Sequence, residues 1–374
     1  MKMILKGWLL PRLACLPFYI CLPILFFARL LRHDRTKWRE QAISSKLCIE
    51  AGIRGWDSLE FKELYKSACE FLKINQVIRV QVYSSEPYLL QVKRAIKNHE
   101  PTHYFYDSRT GNQKWFLGLW EAFRISLLLH SKGIIPIVLL TDLSVRSWRA
   151  QSAVVTAVTG IVITFMSPRM IHPIFPHRRL IGPTIMPLSA DTMSLLNLTV
   201  KNDPAAEKKA FFIGSLYEPR TSKLKEIKNG LFLRGQSLEI LGRVLGAQRV
   251  SDFEYWSVMK NAGIVITTAD QIDSNGSDWT WISHLVYRYL EVLASGTLLV
   301  APEVAGIHRF FISGEHFISF KTTAEAIDVI DYYLTHDEER QKIAAKGKAR
   351  AEALITARNF WTSIDVSLGK SSMT

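Results

Sequence analysis

Cysteine is scarce and confined to one end of the chain: Cys15, Cys21, Cys48 and Cys69 are the four present among 374 residues. Beyond Cys69 no disulfide framework and no thiolate metal site can form, which fits a reducing compartment. His308, His316 and His336 lack zinc-ligand spacing and read as scattered surface or core histidines. No G-x-G-x-x-G follows a predicted strand, and no Walker-type phosphate loop is present. A dinucleotide enzyme and an ordinary NTPase therefore have little support. No repeat period stands out, and no Pro-, Ser- or Gly-rich linker interrupts the middle.

What is present is apolar and basic. Hydrophobic residues make up 48% of the chain, enough for packed cores, and the length suits two α/β domains rather than one. The net charge of +13 is uneven. Residues 1–45 carry eight Lys and Arg (Lys2, Lys6, Arg12, Arg29, Arg32, Arg35, Lys37, Arg39) against Asp34 and Glu40, 8 − 2 = +6. A basic cluster beside an apolar run points to anionic lipid, and the basic-aromatic pattern of nucleic-acid modules is missing.

That run is Leu13–Ala28, sixteen residues without a charge. A spanning helix wants about twenty, and Pro17 and Pro23 interrupt its hydrogen bonding. A spanning anchor and a half-inserted segment both fit. A cleaved signal peptide has no small-x-small site before Arg29, and a core helix of the first domain is the remaining alternative. Positive residues are denser after the run than before it, which predicts that the bulk of the chain stays on the cytoplasmic face of the inner (plasma) membrane.

From Lys46 onward strands and helices alternate, the pattern of parallel sheets covered on both faces. Strands are predicted at 77–83, 102–107, 134–142 and 161–167, then at 210–214, 238–242, 264–268, 297–302 and 316–320. Ser85 and Pro87 predict a helix start, Ser251 or Asp252 another, Thr322 with Glu325 a capping box, and Asp337 the cap of a long helix. Five prolines between Pro168 and Pro187 and the polar stretch KNDPAAEKK at 201–209 mark a boundary. The expected organisation is a membrane-associating segment at 1–45, a Rossmann-like domain at 46–200, a second at 201–357, and a helix and tail at 358–374.

In open α/β sheets ligands bind beyond the carboxyl ends of the strands. Two stretches there carry chemistry. In FFIGSLYEPR (211–220), Gly214 permits close backbone approach, and Ser215, Arg220 and free amides at the following helix start suit a diphosphate. A Gly-Ser turn before a helix is equally an ordinary cap. In HLVYRYLEVLASG (284–296), His284, Arg288 and Glu291 share one stripe of a predicted helix; a surface Arg288–Glu291 pair is the bland alternative.

The run from Tyr287 through Phe320, continuing to Gly347, resembles the C-terminal domain of GT-B glycosyltransferases, nearest the group called CgeB-like or glycosyl transferases family 1-like. Arg288, Glu291, Ala294, Gly296, Gly314 and Glu315 match the family phrase Arg-x-x-Glu-x-x-Ala-x-Gly and the later Gly-Glu. The resemblance covers roughly 207–355 and implies two Rossmann-like domains facing across a cleft. It implies that Glu291 binds the ribose hydroxyls of a nucleotide sugar, that Arg288 reaches the diphosphate or supports Glu291, and that Gly214, Ser215 and Arg220 line the diphosphate. It further implies a reaction without a bound metal or other cofactor, in keeping with the lack of an Asp-x-Asp pair. One departure stands out: where many retaining members carry a second Glu, this chain has Ser283. An inverting enzyme would need a base from the first domain, and Asp107 and Asp142 both follow predicted strands, although each is also an ordinary turn or cap.

The expected partners are a nucleotide sugar, a glycan or lipid-linked acceptor and a membrane, with no nucleic acid. The expected function is transfer of a sugar to a surface glycan or glycolipid. A nucleotide-sugar epimerase of the same build, or a surface-assembly protein that lost the chemistry, are the alternatives.

Overall fold

The structure is a computed structural model. It describes residues 47–51, 59–72, 76–81, 86–107, 115–140, 161–164, 180–198, 201–244, 251–268, 285–304 and 306–370. The apolar run at 13–28 and Asp142 lie outside these residues. Among the described residues no helix is long and apolar enough to cross a membrane. The chain forms two compact units: one from residues up to Ser189 together with those from Ala357 onward, the other Ala190–Thr356.

The first unit runs β1 (Leu47–Ala51), α1 (Leu59–Phe71), β2 (Val77–Gln81), α2 (Tyr88–His99), β3 (His103–Asp107), α3 (Trp115–Ser131), β4 (Ile135–Leu140), β5 (Ile161–Thr164) and β6 (Leu180–Ile181). All six strands are parallel, in the order β2-β1-β3-β4-β5-β6. β1 is not among the strands expected from the sequence; its LCIEA holds a single β-branched residue, Ile49. It is nonetheless the strand from which the sheet grows both ways, registering Leu47 with Val77 and with His103. The predicted helix start at Ser85 and Pro87 shifts: α2 begins at Tyr88, and Pro87 is itself the cap, without a side-chain bond.

The second unit opens with α4 (Ala190–Leu198) and α5 (Pro204–Glu207), then β7 (Ala210–Leu216), α6 (Arg220–Leu233), β8 (Leu238–Val244), α7 (Asp252–Asn261) and β9 (Ile264–Ile266). It continues with α8 (Tyr287–Ser295), β10 (Leu298–Pro302), β11 (Ile318–Phe320), α9 (Thr323–Thr335) and α10 (Asp337–Leu354). Its five parallel strands are ordered β11-β10-β9-β7-β8. The unit begins ahead of the polar 201–209 stretch, because α4 is tied to it: Lys260 Nζ donates to the Leu196 carbonyl at 2.8 Å and Lys348 Nζ to Asn197 Oδ1 at 2.9 Å.

Strand side chains alternate between faces. Ala210, Phe212, Ile264, Ile266, Leu298 and Val300 join α6, α9 and α10 in one core through Leu224, Ile227, Leu231, Ala326, Ile330 and Ile343. Phe211, Val265 and Leu299, which point the other way, are buried too, so both faces are covered. Helix starts follow short-range chemistry. Ser251 and Glu254 close a full capping box on α7, and Thr322 accepts from Glu325 N at 3.1 Å before α9. The cap expected of Asp337 is corrected: Asp337 is the first residue of α10, and His336 precedes it without a capping bond.

The last helix, α11 (Ala357–Lys370), returns to the first unit. Trp361 is fully buried there, edge-on to Phe105 at 6.1 Å, and its Nε1 donates to Ser67 Oγ at 3.1 Å. The C-terminal segment is therefore part of the first unit's core.

His103, at the start of β3, is fully buried. Its Nδ1 lies 3.0 Å from Thr102 Oγ1, and among the described residues its Nε2 has no partner. Burial drags its pKa down from 6.5 to about 4. The folded value lies below the unfolded one, so this contribution to stability is present above the unfolded value and drains away as pH falls from 6.5 to about 4. At about 1.4 kcal/mol per unit, the loss is about 3 kcal/mol. Urea unfolding at neutral pH and near the lower value should show wild type losing more stability than His103→Gln. An equal loss in both would assign the acid sensitivity to other groups.

Candidate functional site

The order of the second sheet puts the point where connections reverse between β7 and β9, whose carboxyl ends are Ser215–Leu216 and the buried Thr267–Thr268. Gly214, Ser215, Arg220, Arg288 and Glu291 all belong to this unit, and they gather about the end of β7.

Glu291 is 2% exposed, at the middle of α8. Tyr255 on α7 donates its hydroxyl to Glu291 Oε2 at 2.7 Å, and Arg288 Nε sits 3.2 Å from the same oxygen. The surface-pair alternative for Arg288 and Glu291 is thereby corrected, since a carboxylate this deeply buried must have charged or hydrogen-bonding partners. The Arg288 guanidinium also lies over the Tyr255 ring, with Cζ 5.0 Å from the centroid. A Cβ placed on Gly214 would stand 3.9 Å from Arg288 Nη2 and 3.1 Å from Phe212 Cζ, so the guanidinium borders the strand end beside the Phe212 ring. Arg288 Nη1 is buried and, among the described residues, has no hydrogen-bond partner. An inward-held cationic donor with capacity left is the form of an anion receptor.

Arg220 lies at the same strand end. Its Nη1 donates to the Ser215 carbonyl at 3.1 Å, and its Cζ lies 4.2 Å from the Tyr217 ring centroid and 5.8 Å from that of Phe212. The free amides expected at the start of α6 are not there. Thr221 N donates to the Tyr217 carbonyl at 3.0 Å, Lys223 N to that of Pro219 at 3.2 Å, and Ser222 N to Glu218 Oε2 at 3.4 Å. The acidic side chain of Glu218 takes the place an anion would take. The positive character at the end of β7 therefore comes from Arg220 and Arg288 rather than from a helix terminus.

α8 itself starts later than its sequence suggests, at Tyr287, with Leu285 and Val286 ahead of it; His284 lies outside the described residues, as do Ser283 and the acidic 270–278 loop. The small residues of the family phrase have packing roles. Ala294 is fully buried, and Gly296 caps α8 in the left-handed conformation, φ 74°, its N–H bonding back to Leu293. Gly314 turns the chain before β11 at φ 81°, and neighbouring Glu315 lies 4.0 Å from Lys346 in a half-exposed pair. Asp107 ends β3, at the carboxyl edge of the first unit's own sheet, beside that sheet's reversal point between β1 and β3. Among the described residues no cluster of three or more His, Cys, Asp or Glu is grouped to hold a metal.

Tyr255 was not singled out from sequence. It lies 36 residues from Glu291, and nothing in SDFEYW sets it apart from an ordinary aromatic on a helix.

Residues 224–364 match the family described as glycosyl transferase-like. No curated protein matches the chain. Several solved structures share its fold at low identity. HepE of Anabaena, in a crystal with UDP and glucose, superposes at a TM-score of 0.57 with 12% identity, over 87% of this chain and all (100%) of its own. Sucrose-phosphate synthase of Thermosynechococcus elongatus gives 0.53 and 13%, over 88% and 98%. A glycosyltransferase of Rickettsia africae gives 0.54 and 9%, over 88% and 98%. The two parallel α/β units are those of the GT-B fold, and the family match is to glycosyl transferase-like proteins.

The geometry alone makes a stability prediction. Glu291→Ala leaves the Tyr255 hydroxyl and the Arg288 guanidinium without their shared acceptor, which should cost about 1–3 kcal/mol. Chemical denaturation of the variant checks this. A change within error of zero would mean the carboxylate is not held as described.

Proposed function

We propose that the protein transfers a sugar from a nucleotide-sugar donor to a membrane-borne acceptor, a surface glycan or glycolipid. The observation that carries the donor half is Arg288: Nε spent on Glu291, Nη2 beside Gly214, and Nη1 buried without a partner among the described residues. The donor's diphosphate would lie across Gly214 and Ser215 against Arg288, with Arg220 behind it. The ribose hydroxyls would donate to Glu291. As the bond from anomeric carbon to phosphate oxygen breaks, the leaving nucleoside diphosphate gains negative charge. Two guanidinium groups already in place stabilise that charge more than the ground state, which is where they accelerate the reaction. They would do so without a bound metal. The acceptor oxygen attacks the anomeric carbon; if the reaction inverts, its proton would go to a carboxylate base, for which Asp107 and Asp142 are the candidates. HepE, crystallised with UDP and with UDP-glucose, supports UDP as the first nucleotide to try.

Calorimetry with UDP, and UDP release from UDP-sugars with and without a lipid extract, test this reading. Arg220→Ala should lower turnover at saturating donor by about tenfold or more while nucleoside affinity changes little, and chelation should leave the rate unchanged. Wild-type turnover in the variant would remove Arg220 from the site. Interconversion of sugars without an acceptor would instead identify an epimerase.

The membrane half rests on the sequence of residues 1–45. An uncharged run between basic flanks is suited to holding the chain at the cytoplasmic face of the inner (plasma) membrane, each flanking cation adding about 1 kcal/mol at an anionic surface. Deletion of residues 1–33 should give a protein that binds UDP as before, leaves the membrane fraction, and loses rate only on lipid-linked acceptors. In sealed inside-out vesicles the C-terminal tail should be open to protease. Protection of that tail would place the catalytic units on the opposite side.

A further inference from the structure

We infer that Tyr255 is a positioning residue for the donor site, fixing the orientation of the Glu291 carboxylate and so setting how strongly the site tells a ribose from a deoxyribose. The inference rests on the donor reading above and adds a residue that neither sequence nor family match points to. Three contacts meet at Tyr255. Its hydroxyl donates to Glu291 Oε2 at 2.7 Å, its ring carries the Arg288 guanidinium at 5.0 Å, and its edge packs at 5.2 Å on Trp256, which is only 2% exposed. The Ser251–Glu254 capping box closes immediately before it and sets where α7 begins. Tyr255 is thus held by its own helix, while Glu291 and Arg288 stand on another.

Two partners, one hydrogen-bonding and one charged, converge on one oxygen. Arg288 Nε and Tyr255 Oη both reach Glu291 Oε2, one from the same helix and one from the neighbouring helix. A carboxylate held by one donor can swing about its last torsion, which is broad and soft for glutamate. Two partners from different helices remove that freedom. A hydroxyl arriving from a ligand then meets an acceptor already aimed, and pre-aimed acceptors discriminate best against analogues that lack the hydroxyl. The guanidinium on the ring face is a second consequence. Tyr255 touches both the group that would take the ribose and the group that would take the diphosphate.

Tyr255→Phe separates these roles, since it keeps the ring under Arg288 and deletes the hydroxyl. The measurement is calorimetric affinity for UDP, 2′-deoxy-UDP and 3′-deoxy-UDP on the full chain, in wild type, Tyr255→Phe and Glu291→Gln. Wild type should bind UDP about tenfold more tightly than at least one deoxy analogue, a difference of about 1.4 kcal/mol. In Tyr255→Phe that ratio should fall below about threefold, mainly by weaker UDP binding, with an unchanged circular dichroism spectrum. Glu291→Gln should also lose the discrimination. If wild type discriminates and Tyr255→Phe keeps the full ratio, Tyr255 is only packing and the inference falls, while the donor site stands. Equal weakening of all three ligands in Tyr255→Phe would overturn it in the same way. If wild type binds UDP and both deoxy analogues alike, Glu291 does not hold the ribose, and the donor reading of Glu291 and this inference fall together.

Discussion

A carboxylate removed from water has to be compensated where it lies, and Glu291 is nearly as buried as the leucines around it. Its compensation comes from Tyr255 on α7 and Arg288 on α8. The same Arg288 borders Gly214 at the end of β7. One charged group therefore ties together three elements that belong to different parts of the sheet's winding. An unpaired buried charge would cost several kcal/mol, so the arrangement of α7 against α8 and of both near β7 is energetically coupled to this one acid. The cost of holding Glu291 inside the protein is also what leaves a guanidinium inward and only partly used.

Arg288 and Arg220 differ in how they are held. Arg220 lies along aromatic faces and donates to a backbone carbonyl, so rings and main chain place its charge at the strand end. Arg288 is placed by a carboxylate through Nε and retains a buried Nη1. Both stand at the strand end, while at the helix terminus that commonly does this work Ser222 N donates to Glu218. A site for a phosphorylated ligand in this unit would thus rely on side chains more than on backbone amides. That makes it sensitive to substitution, because an amide survives a side-chain change and a guanidinium does not.

The match to glycosyl transferase-like proteins and the likeness to HepE rest on different information. The first reads residues within 224–364, and the second compares backbone paths over 87% of the chain at 12% identity. A shared fold at that identity carries no substrate with it. Chemistry has to be read from the site, where Arg288 pairs with Glu291 and borders Gly214.

By itself the sequence determined the local and periodic features. Alternation of β-branched runs with capped helices settled two parallel α/β sheets, and the glycine stop at Gly296 and the caps at Ser251 and Thr322 were legible because they span only a few residues, although the Glu325 side chain accepts from Lys321 N rather than closing a box on Thr322. Gly214, Ser215, Arg220, Arg288 and Glu291 were legible as candidates because a strand end and a family phrase lie within short windows. What only the tertiary structure decided depends on distance along the chain. β1 is short, with Ile49 its single β-branched residue, and pairs with neighbours on both sides. The return of Trp361 to Ser67 spans 294 residues, and no periodicity reports it. The closing of the α6 amides by Glu218 and the burial of Glu291 depend on where side chains point, which pattern leaves open. Tyr255 belongs with these: its meaning is the oxygen it touches, and that oxygen sits on a different helix.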